Sequence, residues 1–321
     1  MIIVSEEVCR DVFNREDAFN AVEAVFAAMA RGEAYNFPVI REAIGYQDAL
    51  YGFKSGFDRA GLSLGLKSGG YWPNNSSRGL TNHQSTVFLF DPDTGQLKAL
   101  VGGNYLTALR TAAASAVSIA HLARSDARVL GMVGGGHQAS FQLRAALGQR
   151  EFEKVVAWNR HAEGLTALAQ VADELGLPFA ALEREQLCAE ADVIITITSA
   201  HEPLLMQRWI KPGTHLACMG TDTRGKQEID AELVASSNLF TDEIEQSISI
   251  GEAQHAIDSG LIEKDSITAI GEVIIGNHAG RASEDEVTLF DGTGVGLQDL
   301  AAAAAVARLA TEQGRAIEIN L

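Results

Sequence analysis

A single arginine, Arg110, stands among small apolar residues in the stretch LTALRTAAASAV, residues 106–117. A helix this rich in alanine packs closely against its neighbours, and a buried guanidinium without a partner is very costly. Arg110 therefore either pairs with an internal carboxylate or serves an anionic ligand. A second stretch that could do chemistry is VLGMV followed by Gly134-Gly135-Gly136-His137-Gln138-Ala139. It reads G-x-G-x-x-A between a strand and a helix. The first glycine permits a tight turn, the second lets backbone approach a pyrophosphate, and the small third residue, Ala139, lets helix pack on strand. Amides at the helix start can then hold phosphates. Without a ligand the same pattern is a tight turn. The next strand ends KVVAW-Asn159-Arg160. Dinucleotide sites usually place an acidic residue here for ribose hydroxyls, or an arginine nearby for a 2′-phosphate. Asn159 can hydrogen-bond a ribose. Arg160 can hold a phosphate or stack on adenine, and Glu163 close behind opposes an extra phosphate.

The surrounding elements follow from periodicity and punctuation. Asn14 can cap a helix whose apolar residues Phe19, Val22, Phe26 and Met29 share one face, with Gly32 as its end. Strand-like runs follow near 37–44, 49–57, 62–68 and 85–90, and the turn Asp91-Pro92-Asp93-Thr94-Gly95 predicts a hairpin into residues 96–101. Short connections make this sheet antiparallel or mixed. From about Arg128 the rhythm changes: RVLGMVG, KVVAW, DVIITIT, THLACMG and NLFTD alternate with helical stretches, the pattern of a parallel sheet covered by helices. VTLF then precedes a glycine-rich turn and a second alanine-rich helix. The two chain ends thus form one domain and the middle inserts as another.

Composition bounds the partners. The 321 residues suffice for two domains. A net charge of -17 argues against nucleic acid or an anionic membrane as the main partner. No apolar run approaches the roughly 18 residues of a membrane span. The start MIIVSEEVCR lacks the pattern of a signal peptide, and Cys9, Cys188 and Cys218 show no paired spacing, so a cytoplasmic location with free thiols is expected. The eight histidines show no ligand spacing, and no metal is expected.

With these pieces in place, the chain resembles the ornithine cyclodeaminase/mu-crystallin family over essentially its whole length. The matching stretches are LTALRTAAASAVSIAHLAR, GGGHQA, GTDTRGKQEID and AIGEVIIGNHAGRASEDEVTLFDGTGVGLQDLAAA. The resemblance implies an α/β fold: a Rossmann-type parallel-sheet domain, residues 124–290, inserted into an α+β substrate and dimerisation domain, residues 1–123 and 291–321. It further implies a homodimer, a nicotinamide cofactor, and a small anionic amino-acid or imino-acid substrate. The family's substrate-clamping cations match Arg41 in FPVIREAI, Lys67 in GLKSGGYWPNN, and Arg110. An arginine fork binds and orients a carboxylate through two parallel hydrogen bonds, and Lys67 can also supply or relay a proton. Without the match, Arg41 and Lys67 would read as solvated strand charges. The family's acidic residue matches Asp222, which can hydrogen-bond a substrate nitrogen or water or merely cap a turn. Arg224 stands where the family commonly has proline. Implied cofactor contacts are Thr111, Gly134, Gly136, His137, Gln138, Ala139, Asn159, Arg160, Gly220 and Gly294. Residues 294–299 are expected beside the nicotinamide, with Asp299 there or in an internal salt bridge.

The substrate's far end should discriminate among activities. In cyclodeaminase members, a carboxylate on the strand before the matching lysine receives a distal amine. Here Lys54 in YGFKSGFD falls near that place and suits a second carboxylate, unless it points to solvent. Trp72, His83 and Gln84 can line the pocket or belong to the core. The expected activity is NAD(P)H-dependent imine reduction on a small 2-keto dicarboxylate, iminosuccinate to aspartate. The resemblance favours NAD(H), while Arg160 keeps NADP(H) open. The alternatives are a cyclodeaminase-type lyase, an alanine or other amino-acid dehydrogenase, and a non-catalytic ligand binder. A binder would not need Arg41, Lys67, Arg110 and Asp222 together.

Overall fold

The structure, a computed structural model, describes residues 1–320; Leu321, the end of the expected carboxyl-terminal segment, lies outside them. Two compact units are present, residues 1–110 with 295–320, and Thr111–Gly294. In chain order the first elements are β1 (Ile2–Val4), α1 (Glu6–Val12), α2 (Arg15–Ala30), β2 (Ala34–Asn36), β3 (Ile40–Ala43), β4 (Leu50–Asp58), β5 (Ser63–Tyr71), β6 (His83–Phe90), β7 (Leu97–Gly102) and α3 (Asn104–Leu122). Asn14 caps α2 as its position predicts: its Oδ1 accepts from the amides of Glu16 and Asp17 at 2.8 and 3.1 Å. The Asp17 carboxylate in return accepts from the Asn14 amide, closing a capping box. Strands β2 to β7 pair antiparallel, and β1 joins β7 in parallel, so the sheet is mixed. The run near 37–44 is not one strand. Within it only β3, Ile40–Ala43, is strand; β2 precedes it, and Pro38, which lacks an N–H, stands between the two, with Asn36 facing Gly56 and Ile40 facing Phe53 on β4.

The middle of the chain forms β8 (Val129–Val133), α4 (Ala139–Ala146), β9 (Lys154–Trp158), α5 (Thr166–Glu174), β10 (Phe179–Ala181), α6 (Arg184–Glu190), β11 (Val193–Thr196), β12 (His201–Leu205), β13 (His215–Cys218), β14 (Gln227–Ile229), α7 (Ala231–Ser236), β15 (Asn238–Thr241), α8 (Ile244–Ile250), α9 (Ala253–Asp258), β16 (Ile267–Ala269), α10 (Ile270–Ile274) and β17 (Thr288–Asp291). The main sheet has the order β10-β9-β8-β11-β13-β17-β15-β16, with every pairing parallel. The chain winds outward from β8 through β9 to β10, and on the other side from β11 through β13 to β15 and β16, after which β17 returns between β13 and β15. The crevice at the carboxyl ends of β8 and β11 is where doubly wound sheets bind ligands. The strands are buried on both faces, which explains their unbroken apolar runs. The fold is thus α/β with a Rossmann-type parallel sheet.

The last elements, α11 (Gly296–Glu312) and β18 (Ile317–Glu318), return to the first unit. Helix α11 packs on β4 and β5, where two strand glycines admit it. A Cβ on Gly56 would lie 3.1 Å from Leu297 Cδ2, and one on Gly65 would lie 3.0 Å from Leu300 Cδ2. The Asn36 amide oxygen accepts from the Leu297 N–H at 3.2 Å, satisfying a backbone donor of the first turn.

Candidate functional site

Sheet register gathers the cations of the first unit on the face that α11 covers. Lys54 stands directly across from Lys67, and Arg41 directly across from Gly52, two residues before Lys54 on the same face. Lys67 faces Val87, so His83, four residues earlier on β6, also shares that face. The first turn of α11 then sets Asp299 onto this group. Lys67 Nζ lies 2.7 Å from Asp299 Oδ2, and Arg110 Nε lies 2.8 Å from Oδ1, with all three side chains buried. Arg110 Nη1 donates to Gln298 Oε1 at 2.9 Å. Arg110 therefore has an internal partner, and Nη2 is the guanidinium nitrogen that these bonds do not use.

Burial and like charge dominate the electrostatics. Burial, with Arg110 and Lys54 nearby, pulls the Lys67 ammonium down to about 7 although the Asp299 carboxylate opposes the change. Burial raises Asp299, but Arg110, Lys67 and Lys54 outweigh it and hold its carboxyl below the usual range. Burial, then Lys67, Arg110 and Arg41, lower His83 to about 3, so its imidazole is neutral across the physiological range. A lysine with a proton affinity near neutrality beside fixed cations can bind an anion and move a proton.

In the second unit the glycine loop lies at the β8–β11 switch point. Gly134 has φ 110°, in the region that favours glycine, and a Cβ there would lie 2.6 Å from the Ile197 carbonyl oxygen. Gly136 has open space beside it, and Ala139 is buried at the start of α4. Gln138 Oε1 is buried with no hydrogen-bond partner among the described residues, an acceptor that a ribose hydroxyl can satisfy. The loop thus fits a dinucleotide. His137 is exposed on the loop, its ring 5.4 Å from that of Phe141, and Arg160 is exposed after β9. Asn159 acts on the loop itself: its Oδ1 accepts from the Gly135 amide at 3.1 Å, and its Nδ2 donates to the His161 carbonyl at 2.8 Å. Thr111 is buried in α3.

Asp222 follows β13, half-buried, with its Oδ1 2.8 Å from Lys226 Nζ. Two buried carboxylates that sequence reasoning missed brace this region. Glu228 on β14 accepts from the Thr196 hydroxyl and from the amides of Thr198 and Gly220, tying together the carboxyl ends of β11 and β13. Glu252 accepts from the Thr221 hydroxyl and from the amides of Glu228 and Ile229. Burial raises both carboxyls. Asp242 accepts from the Thr293 and Gly294 amides at 3.1 and 2.8 Å, fixing the turn before α11. Nothing in the spacing of these acids signals a brace, because their partners are mostly backbone amides.

Among known proteins, the model of the ornithine cyclodeaminase/mu-crystallin family matches residues 1–314. The chain is 61% identical over 321 residues to the iminosuccinate reductase of Paracoccus denitrificans, covering 100% of each. The crystal structure of that enzyme in complex with NAD+ matches with a TM-score of 0.96, covering 100% of this chain and 99% of that one. The alanine dehydrogenase of Archaeoglobus fulgidus is 32% identical over 308 residues, 95% of this chain and 94% of the relative. The structure of Thermococcus litoralis Δ1-pyrroline-2-carboxylate reductase, in complex with NADH and L-proline, matches with a TM-score of 0.94 at 26% identity, covering 99% of this chain and 100% of that one.

Proposed function

The chain belongs to the ornithine cyclodeaminase/mu-crystallin family, and from that premise we propose that it is an NAD(H)-dependent imine reductase that converts iminosuccinate to aspartate. The observation that carries the substrate is the cross-strand pair of Lys54 and Lys67, with Arg41 on the same face. Like charges directly opposite in a ladder are destabilising. Asp299 already pairs with Lys67, so the charges of Arg41 and Arg110 on one side and of Lys54 on the other suit a ligand with a carboxylate at each end, and iminosuccinate is such a ligand.

In this reading Arg41 and Nη2 of Arg110 hold the carboxylate next to the imine, and Lys54 holds the distal one. Arg110 is preset for its part because Asp299 and Gln298 fix its other two nitrogens. Lys67 Nζ donates a proton to the imine nitrogen, which makes the imine carbon electrophilic, and is reloaded from water. Asp222 hydrogen-bonds the substrate nitrogen. When bound, the dinucleotide supplies the hydride that the imine carbon takes up. The product is the amine, with one hydrogen gained at carbon and one at nitrogen. Holding reactants in this way can lower a barrier by about 7–11 kcal/mol at best.

The unit of residues 111–294 would hold the cofactor through Gly134, Gly136, His137, Gln138 and Ala139, with Thr111, Asn159, Arg160, Gly220 and Gly294 also assigned to it. The other unit would bind the substrate. It would also form a homodimer through the outer face of its sheet, where Tyr35, Ile40, Tyr51 and Phe53 are exposed. A contiguous exposed apolar face of this kind marks an interaction surface. The three cysteines are buried and unbridged, in keeping with a cytoplasmic location.

The test offers NADH with ammonia and either oxaloacetate, pyruvate or glyoxylate. NADH oxidation with oxaloacetate that requires ammonia is expected. Equal oxidation of NADH by oxaloacetate without ammonia would sink the imine reading. Ammonia release from ornithine without net cofactor change would point to a cyclodeaminase.

A further inference from the structure

Asp299 is the carboxylate that both buried cations of the first unit reach, Lys67 through Oδ2 at 2.7 Å and Arg110 through Oδ1 at 2.8 Å. We propose that Asp299 is a positioning residue for the reduction: its carboxylate orients Arg110 toward the substrate and keeps a proton on Lys67 until the imine is in place. This rests on Lys67 as the proton donor.

Lys67 on β5 is faced by Lys54 from β4, Arg41 from β3, His83 from β6, Arg110 from α3 and Asp299 from α11. Of these, His83 is neutral and three are cations. Burial, Arg110 and Lys54 all drive the proton off Lys67, and Asp299 opposes them. Its position is set by backbone packing. Gly56 and Gly65 let Leu297 and Leu300 close onto the sheet, and Gln298 and Asp299 lie between those two contacts in sequence. A carboxylate anchored in this way does not depend on substrate to find its place. The step it serves balances simply. The N–H bond at Lys67 breaks, the imine nitrogen takes the proton, and the neutral lysine regains a proton from water.

Were Asp299 only a counterion for a buried guanidinium, its loss would reduce activity equally at every pH. The experiment compares D299N with the parent protein between pH 6 and 8, taking the ratio of kcat/KM at each pH so that imine supply cancels. A neighbouring opposite charge shifts a group by about 1–3 pH units. The ratio is therefore expected to fall by about five- to ten-fold across this range. In parallel, the Lys67 side chain is titrated by NMR in [13Cε]lysine-labelled protein, its signal assigned by its loss in K67R. The midpoint, about 7 in the parent, should drop by about one unit or more in D299N and return toward the parent in D299E. An unmoved midpoint overturns the role of Asp299. A midpoint that moves while the activity ratio stays flat overturns Lys67 as the donor, and with it the reading on which the proposal rests. If D299N does not fold, R110Q and R110Q/D299N make the same comparison without a buried unpaired guanidinium, and the midpoint must again be lower in the variant lacking Asp299.

Discussion

Lys54 and Lys67 face each other across one rung of the β4–β5 ladder, and the repulsion between them lowers the proton affinity of Lys67. One residue therefore has two effects. In the proposed reading Lys54 offers a charge to the distal carboxylate, and it also biases the proton on its neighbour. A hydrogen bond to a charged group is worth about 1.5–3 kcal/mol. K54A should then lose on the order of 10- to 100-fold in kcat/KM with oxaloacetate and ammonia, while the pyruvate reaction changes much less. Steady-state assays with both keto acids decide this, and equal losses would remove Lys54 from the substrate site. The sign of the pH effect is also fixed. With Lys67 as the proposed donor, reduction needs its protonated form, so kcat/KM in the parent should fall as pH rises through about 7. Without Lys54 that fall moves to higher pH.

The site depends on how closely α11 approaches the sheet. A methyl group on Gly65 would meet the Phe88 carbonyl oxygen and lie 3.0 Å from Leu300 Cδ2. Overpacking of this kind costs about 1–3 kcal/mol. G65A should lower Tm and also lower activity, because the turn bearing Asp299 is displaced. In G148A the new methyl would meet only the Ala145 carbonyl oxygen at 3.5 Å, so Tm should move little. Calorimetry on both variants tests the claim, and equal Tm values for G65A and the parent would refute it. Elements of this unit were legible in the sequence where the signal is local. Asn14 caps α2, and the Asp91–Gly95 turn forms with Asp91 Oδ1 accepting from the Thr94 amide at 2.9 Å. The split of β2 from β3 follows from Pro38 once the partner strand is known. The Arg110–Asp299 contact was legible only as an alternative, because 189 residues separate the pair. The bracing by Glu228 and Glu252 was not legible at all. The residue type of Asn159 shows a hydrogen-bonding amide, but its bond from the Gly135 N–H depends on the fold.

At the scale of the whole molecule, the same strands that carry cations on one face carry aromatic and aliphatic side chains on the other. Period two places Tyr51 and Phe53 opposite Lys54, and register sets Ile40 beside Phe53. The Tyr51 and Phe53 rings lie 5.3 Å apart, and both are more than a third exposed, at 37% and 36%. Each chain carries a net charge of -17, so two copies repel at long range and apolar burial would have to hold the proposed dimer together. Screening shortens that repulsion to about 8 Å at physiological ionic strength, and a dimer of this kind should tighten as salt rises. F53E places a charge at the centre of the apolar face and should shift the protein to monomer, read by analytical ultracentrifugation across a range of salt concentrations. Because side chains alternate along β4, the substitution points away from the Lys54 and Lys67 side of the sheet. Residual imine reduction in a monomeric F53E would mean that one chain holds a complete substrate site. Activity lost in step with the dimer would mean that the apolar face supports the cationic one, whereas a parent protein that sediments as a monomer would remove this face as a self-association surface.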